Sequence, residues 1–201
     1  MSNLTNTGIP PSEFQEWCRR RHWFPRVLML GWFGWMTLHQ LSNADYHSFL
    51  GGLNLGIHEF GHLLCGPMGE LIGVAGGSLV QCLIPLISFW MFHRQQDYFA
   101  HSFSFVWLGS NLFEVARYMG DARKLALPLV SPFSGNGEVI HDWNYLFHKM
   151  GMLQWDTSIA LLTRALSSLC MITGLIWGAW VVWQILRTPR REIGSNWVAP
   201  A

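Results

Sequence analysis

Residues 49–64 read FLGGLNLGIHEFGHLL, an apolar segment that carries two histidines and a glutamate in its second half. Four further apolar segments lie around it, at residues 27–41, 71–92, 99–119 and 159–186. A helix that crosses a membrane needs about 20 mostly apolar residues. The sequence therefore predicts an all-α fold, a polytopic helical bundle of about five membrane segments, with residues 49–64 as the short second segment.

The composition favours a membrane protein over a soluble one. Half of the residues are hydrophobic and only 12% are charged, whereas soluble domains carry roughly 25% charged residues. The chain also has 12 tryptophans, a residue enriched at membrane–water interfaces. A net charge of +1 excludes a protein that binds nucleic acid through a basic surface. The expected environment is therefore the lipid bilayer.

The charge pattern divides the chain into three parts. Residues 1–24 are polar and contain three consecutive arginines at 19–21, so we expect a cytoplasmic N-terminal arm. Residues 25–187 are the predicted membrane domain, in which residues 125–157 form a loop and a short interfacial helix. Residues 188–201 are a polar C-terminal tail.

The positions of the arginines conflict with five complete spans. Five spans would place Arg187 on the side opposite to the arginines of the N-terminal arm, whereas Lys and Arg concentrate on the cytoplasmic side. Two arrangements remove the conflict: either residues 49–64 are re-entrant, or residues 125–157 dip into the membrane. We also expect Pro85 to break the third segment.

The stretch HEFGH at residues 58–62 has the spacing of a metal site. Residues four apart share one face of a helix, so His58 and His62 can bind one ion, for which we expect Zn²⁺. Glu59 is then placed to act as the general base that activates water. A charge at the centre of a membrane costs about 2.5–3.5 kcal/mol on insertion scales. These polar groups therefore need partners, either a metal or a metal-free hydrogen-bonded cluster.

A catalytic zinc has three protein ligands and one open position. The candidates for the third ligand are Asp121 and His141, and the sequence leaves the choice between them open. Glu114, within the fourth segment, is a further option. The polar residues predicted to line the cleft or to support the ligands are Asn54, Asn111, Glu114, Arg117 and Asp142.

An HEFGH motif inside an apolar segment resembles the site-2-protease type of intramembrane zinc metallopeptidase. The resemblance implies that His58 and His62 bind zinc and that Glu59 activates water. In that family the third ligand is the aspartate of an Asp-Gly motif on a later membrane segment. The corresponding stretch of this chain reads Asp-Ala-Arg at residues 121–123, so the family pattern is not complete here.

The rest of the chain resembles small, uncharacterised membrane proteins of bacteria. The resemblance covers most of residues 50–160 and rests on the zinc motif, on Gly-Gly-Ser at 76–78, on Asp-Ala-Arg and on His-Asp-Trp at 141–143. It implies a bacterial inner-membrane protein with this site, and it assigns no activity.

Two functions follow from these patterns. The first is a zinc metallopeptidase that hydrolyses peptide bonds of membrane-embedded substrates. The alternative is a non-enzymatic subunit of a larger bacterial membrane complex, in which HEFGH holds a structural metal or forms a polar cluster. The missing Asp-Gly motif and the abundance of tryptophan favour the alternative.

Overall fold

The computed structural model describes residues 12–43, 46–128 and 140–189, and these residues form an all-helical protein without strands. The predicted all-α class is therefore confirmed. Residues 1–11 of the predicted arm, 129–139 of the predicted loop and 190–201 of the predicted tail lie outside the described residues. The seven α-helices are α1 (Glu13–Arg19), α2 (Trp23–Ser42), α3 (Gly51–Cys65), α4 (Glu70–Arg94), α5 (Ala100–Gly120), α6 (Asp142–Met150) and α7 (Asp156–Arg187).

Each predicted apolar segment corresponds to a helix, but among the residues that the structure describes only two helices are long and apolar enough to cross a membrane. These are α4 and the stretch Leu153–Arg187, which joins a short 3₁₀ turn to α7. Helix α3 has 15 residues, a length of about 22 Å at 1.5 Å per residue, which is shorter than the roughly 30 Å hydrocarbon core. Five complete spans are therefore not shown.

Helix α4 continues through Pro85, so the predicted break at this residue is wrong. A proline removes one backbone hydrogen bond from a helix. Apolar residues continue on both sides of Pro85, and its side chain is buried. In such a setting, packing against neighbouring helices compensates for the missing bond.

Small residues let the helices approach one another closely. In the α5–α7 pair, Ser102 Oγ donates to Gly174 O and Ser167 Oγ donates to Gly109 O, each at 2.7 Å. In the α3–α4 pair, a Cβ atom at Gly61 would collide with the backbone of Gly76. Glycine at these positions therefore sets the short distance between the paired helix backbones.

The two ends of the described chain lie at the same end of the bundle. The Arg26 guanidinium lies 5.7 Å from the centre of the Phe99 ring, which joins the start of α2 to the start of α5. Phe14 of α1 stacks on Trp180 near the end of α7 at 5.1 Å. The arginines at 19–21 and Arg187 are consequently at one end.

Helix α3 covers only part of the height of the bundle. Just before its start, Ser48 Oγ donates to Glu114 Oε1 at 3.3 Å, and within it Asn54 Oδ1 accepts from Trp107 Nε1 at 2.9 Å. Both partners lie on α5, away from its first turn. Helix α3 therefore begins partway along α5 rather than at the end of the bundle where α2 starts.

The interior of this bundle contains polar side chains beside two apolar clusters, and many large apolar side chains lie on its surface. Gln40, Asn54 and Asn111 are completely buried. The exposed residues of α7 include a row of large apolar ones: Leu161, Leu162, Leu166, Leu169, Ile172 and Ile176. Helices packed in water usually present charged and polar side chains on their outer face.

Candidate metal centre

The two histidines of the HEFGH stretch lie side by side on α3. Their ring centroids are 4.8 Å apart, as expected for residues four apart on a helix. His58 is buried and His62 is partly buried. The close approach at Gly61 presses this helix face against α4, so both rings lie in the gap between helices.

Asp142 is the third member of the group. Its Oδ2 atom lies 2.9 Å from His58 Nε2 and 3.2 Å from His62 Nε2. The backbone N–H of Asp142 donates to the hydroxyl of Tyr118 at 3.1 Å, which fixes the start of α6 against α5. These three residues could hold a metal ion.

The hydrogen bonds behind the two rings define which nitrogen faces Asp142. His58 Nδ1 lies 3.0 Å from Gln81 Oε1, and His62 Nδ1 lies 2.9 Å from the carbonyl oxygen of Gly73. Both partners can only accept a hydrogen bond, so each Nδ1 carries the hydrogen in the neutral ring. Each Nε2 then has a lone pair directed at a carboxylate oxygen. Without an ion, a proton on Nε2 joins a ring to the carboxylate, and a metal ion that takes the place of that proton would be bound by all three groups.

The charge state of Asp142 suits this role. Burial raises the pKa of its carboxyl group, but the contacts with His58 and His62 outweigh burial and hold the pKa below its usual range. The carboxyl group is therefore ionised at neutral pH, as a metal ligand must be.

Gly77 on α4 leaves room beside the two nitrogens. A Cβ atom at this position would lie 2.6 Å from Nε2 of both His58 and His62. Zinc–nitrogen bonds are about 2.0–2.1 Å long, so a methyl group there would occupy the space an ion needs. Gly77 therefore leaves the α4 side of the centre free of a side chain. The sequence analysis did not assign this role to Gly77.

Glu59 follows His58 on α3 and is buried as well, with 7% of its surface exposed. The residue predicted to act as the base therefore lies in the interior of the bundle, on the helix that supplies both histidines.

The two predicted candidates for the third ligand lie outside this group. Asp121 accepts hydrogen bonds from the backbone N–H groups of Ala126 and Leu127, at 3.1 and 2.9 Å, and so closes the turn after α5. The N-terminal cap of α6 is His141, whose Nδ1 accepts from Asn144 N at 3.2 Å. Its Nε2 lies 3.5 Å from Asp121 Oδ2, and burial lowers its pKa.

Comparison with known proteins identified no similar protein. The chain matches no family profile, no curated protein and no solved structure. Any assignment of function therefore depends on the residues of the site itself.

Three of the predicted cleft residues reach the centre through Gln81, which the sequence analysis did not select. Gln81 Nε2 donates to Asn111 Oδ1 and to Glu114 Oε2, each at 3.1 Å. Glu114 Oε2 also accepts from Asn54 Nδ2 at 2.9 Å. Gln81 lies four residues after Gly77, on the same face of α4, and that spacing is the signal that could have found it.

Arg117 has a different neighbour. Its Nη1 atom lies 3.0 Å from His47 Nε2, close to the chain segment that leads into α3.

Proposed function

We propose that this protein is an intramembrane zinc metallopeptidase that hydrolyses peptide bonds of membrane-embedded protein substrates. The observation that carries the proposal is the convergence of His58 Nε2, His62 Nε2 and Asp142 Oδ2. Two histidines and one carboxylate are a ligand set of catalytic zinc, which keeps a fourth position open, whereas structural zinc is closed by four protein ligands. The HEFGH spacing adds the glutamate that such a site uses.

Each residue has a defined task in this proposal. A zinc ion held by the three ligands would polarise the carbonyl of the scissile bond and make water a stronger nucleophile. Glu59 would act as the general base that takes a proton from water and returns it to the leaving amine. Asp142 would supply the carboxylate ligand, and Gln81 and the carbonyl of Gly73 orient the imidazoles from behind.

The distribution of side chains supports a location within a membrane. An exposed row of leucines and isoleucines on α7 would be a large apolar patch in water, whereas in lipid it is the expected surface. Buried polar groups such as Asn54 and Gln40 then face one another inside the bundle. Helices α4 and α7 are the two candidate spans.

The arrangement of the arginines supports an orientation in the bacterial inner membrane. The arginines at 19–21, Arg94 and Arg187 lie at the end of the bundle where α2 begins and α4 and α7 end. We infer that this end faces the cytoplasm. The metal centre lies towards the opposite end, near the start of α4 and the end of α5.

The substitution Glu59→Gln tests the proposed reaction. Purified wild type and variant are reconstituted with zinc and incubated with fluorescein-labelled casein, whose backbone is not hidden in helices. The variant should retain the zinc content of wild type and lose about 100-fold or more of the cleavage rate, since a positioned base contributes about 10²–10⁴-fold.

Equal cleavage by wild type and Glu59→Gln would contradict the mechanism. If wild type binds zinc and cleaves nothing, including membrane proteins of the host, the metal is structural. The function as a subunit of a larger membrane complex would then replace the peptidase.

A further inference from the structure

The side chain of Gln81 joins the metal centre to the polar interior of the bundle. It is 4% exposed and lies on α4 between His58 on α3 and Glu114 on α5. Its oxygen faces His58 Nδ1 at 3.0 Å, and its nitrogen faces two oxygens, Asn111 Oδ1 and Glu114 Oε2, at 3.1 Å each.

The orientation of this amide follows from its neighbours. Glu114 Oε2 is the acceptor of the hydrogen bond from Gln81 Nε2, so the NH₂ group of Gln81 faces Glu114 and the oxygen of Gln81 faces His58. Glu114 is itself held by Asn54 Nδ2 at 2.9 Å and by Ser48 Oγ at 3.3 Å. The chain of contacts from Ser48 to His58 therefore has one consistent direction of donation.

A reversed amide would disable His58 as a ligand. The NH₂ group of Gln81 would then donate to Nδ1, and the hydrogen of the neutral imidazole would move to Nε2. The lone pair directed at Asp142 would disappear. The tautomer of His62 does not depend on an amide side chain, because its Nδ1 faces the backbone carbonyl of Gly73, which can only accept a hydrogen bond.

We propose that Gln81, aligned by Glu114, is a positioning residue that fixes the tautomer of His58 and thereby makes its Nε2 a metal ligand. This inference rests on the proposed metal centre. It assigns Glu114 a task distinct from an ion pair or a ligand, since its carboxylate selects one of the two orientations of an amide on the neighbouring helix.

Zinc affinity measures this role directly. Dissociation constants are obtained by competition with a chromophoric chelator for detergent-solubilised protein. Loss of a group that orients a metal ligand weakens metal binding by about 10–100-fold. We expect a loss of this size for Gln81→Leu and a smaller one for Glu114→Gln, because an amide at position 114 accepts either orientation of Gln81.

The chain offers a matched control at Gln40. This residue is also a buried glutamine of the polar interior, and its Nε2 donates to Ser110 Oγ at 3.1 Å. This hydrogen bond does not involve a histidine, and two serines separate Gln40 from Glu114. Ser110 Oγ donates to Ser48 Oγ at 3.2 Å, and Ser48 Oγ donates to Glu114 Oε1. We expect Gln40→Leu to change the zinc affinity by less than about two-fold, since it leaves the groups that orient the ligands in place.

An exchange of the two side chains separates positioning from general stability. In the double variant Gln81→Glu/Glu114→Gln, the carboxylate at 81 accepts from His58 Nδ1, and the amide at 114 donates to that carboxylate. Asn111 can turn to donate as well, because among the described residues its Nδ2 has no hydrogen-bond partner. We expect zinc binding within about five-fold of wild type and a Co²⁺ absorption spectrum like that of wild type.

Three results would overturn the inference. The first is wild-type zinc affinity in folded Gln81→Leu, and the second is an equal loss in Gln40→Leu. The third is a double variant as weak as Gln81→Leu with an altered Co²⁺ spectrum. If wild type itself binds no metal, the proposed metal centre fails and this inference fails with it. If Gln81→Leu does not fold, the zinc affinities of Glu114→Gln and of the double variant test the role of Gln81.

Discussion

At the scale of single residues, the centre depends on what surrounds two imidazole nitrogens. Asp142 lies on one side of them, and Gly77 lies on the other side without a side chain. Behind the rings, two carbonyl oxygens hold the hydrogens away from the shared space. Glycine at position 77 therefore gives both rings room against α4 and leaves their Nε2 atoms without a side chain between them and that helix.

The substitution Gly77→Ala tests that open position. The methyl group would lie 2.6 Å from both Nε2 atoms, so we expect the variant to lose stoichiometric zinc, with affinity at least about ten-fold weaker. Its stability without metal should fall by about 1–3 kcal/mol, because the methyl group also overlaps the two imidazole rings. Gly56→Ala on α3, where the new Cβ meets nothing within 4 Å, is the control, and it should bind zinc as wild type does. Wild-type zinc binding by Gly77→Ala would place the ion elsewhere.

A comparison of two aspartates tests the third ligand. Asp142→Asn removes the charge between the histidines and should weaken zinc binding by at least about ten-fold. Asp121→Asn should leave zinc binding unchanged and lower stability by about 1 kcal/mol, because only one of two backbone N–H groups keeps its acceptor. If a metal titration shows the reverse, with weak zinc binding by Asp121→Asn and normal binding by Asp142→Asn, Asp142 is not the third ligand.

The sequence indicated part of this centre. Spacing within one helix is local information, and it predicts that His58 and His62 share a face. The third ligand comes from a helix 80 residues further on, and its identity depends on how the turn before α6 is closed. His141 and Asp142 are adjacent in the chain, and only the capping bond to Asn144 shows which of them turns away from the site.

At the scale of helices, close contacts between small residues hold the pairs together. The α5–α7 pair has Gly109 opposite Met171 and Ser167, and Gly174 opposite Val106 and Ser102. Hydrogen bonds from Ser102 and Ser167 to backbone carbonyls of the facing helix cross this contact. In lipid, packing of this kind replaces the hydrophobic effect as the source of helix association.

Gly109→Ala tests the α5–α7 contact. The added methyl group would overlap the Met171 side chain and lie 2.9 Å from Ser167 O, so we expect a loss of about 1–3 kcal/mol. Gly34→Ala on α2 meets nothing within 4 Å and should be neutral or stabilising by up to about 1 kcal/mol. Unfolding in mixed micelles measures both variants, and equal stabilities would show that the pair does not depend on this contact.

Helix positions were largely predictable, because each apolar run is local. The short helix predicted within residues 125–157 corresponds to α6 (Asp142–Met150). The prediction failed at Pro85, since whether a proline ends a helix depends on the packing around it. The number of spans also failed to follow from apolar runs, because α2, α3 and α5 carry buried polar side chains that only the assembled bundle explains.

At the scale of the whole molecule, the bundle places Arg187 at the same end as the arginines at 19–21. Helix α3 begins partway along α5. Helices α2 and α3 together therefore extend from one end of the bundle to the other, and neither covers that length alone. Helices α4, α5 and α7 then bring the chain back to the end where it began. This corresponds to the first of the two arrangements considered, in which residues 49–64 do not form a complete span.

Cysteine accessibility tests this topology. In a variant whose four native cysteines are replaced by serine, single cysteines are introduced at Arg20, Lys124 and Pro189, all exposed. In intact cells with a permeabilised outer membrane, an impermeant maleimide should label position 124 and spare positions 20 and 189. Labelling of 189 together with 124 would mean an odd number of passages.

The metal content of the purified protein tests directly whether His58, His62 and Asp142 bind zinc. Wild type is compared with the double variant His58→Ala/His62→Ala by elemental analysis, and the helix content of both is monitored by circular dichroism. If these residues form a zinc site, we expect one zinc per chain in wild type and none in the variant, with the helices retained in both. No bound metal in folded wild type, or the same amount in both proteins, would contradict it.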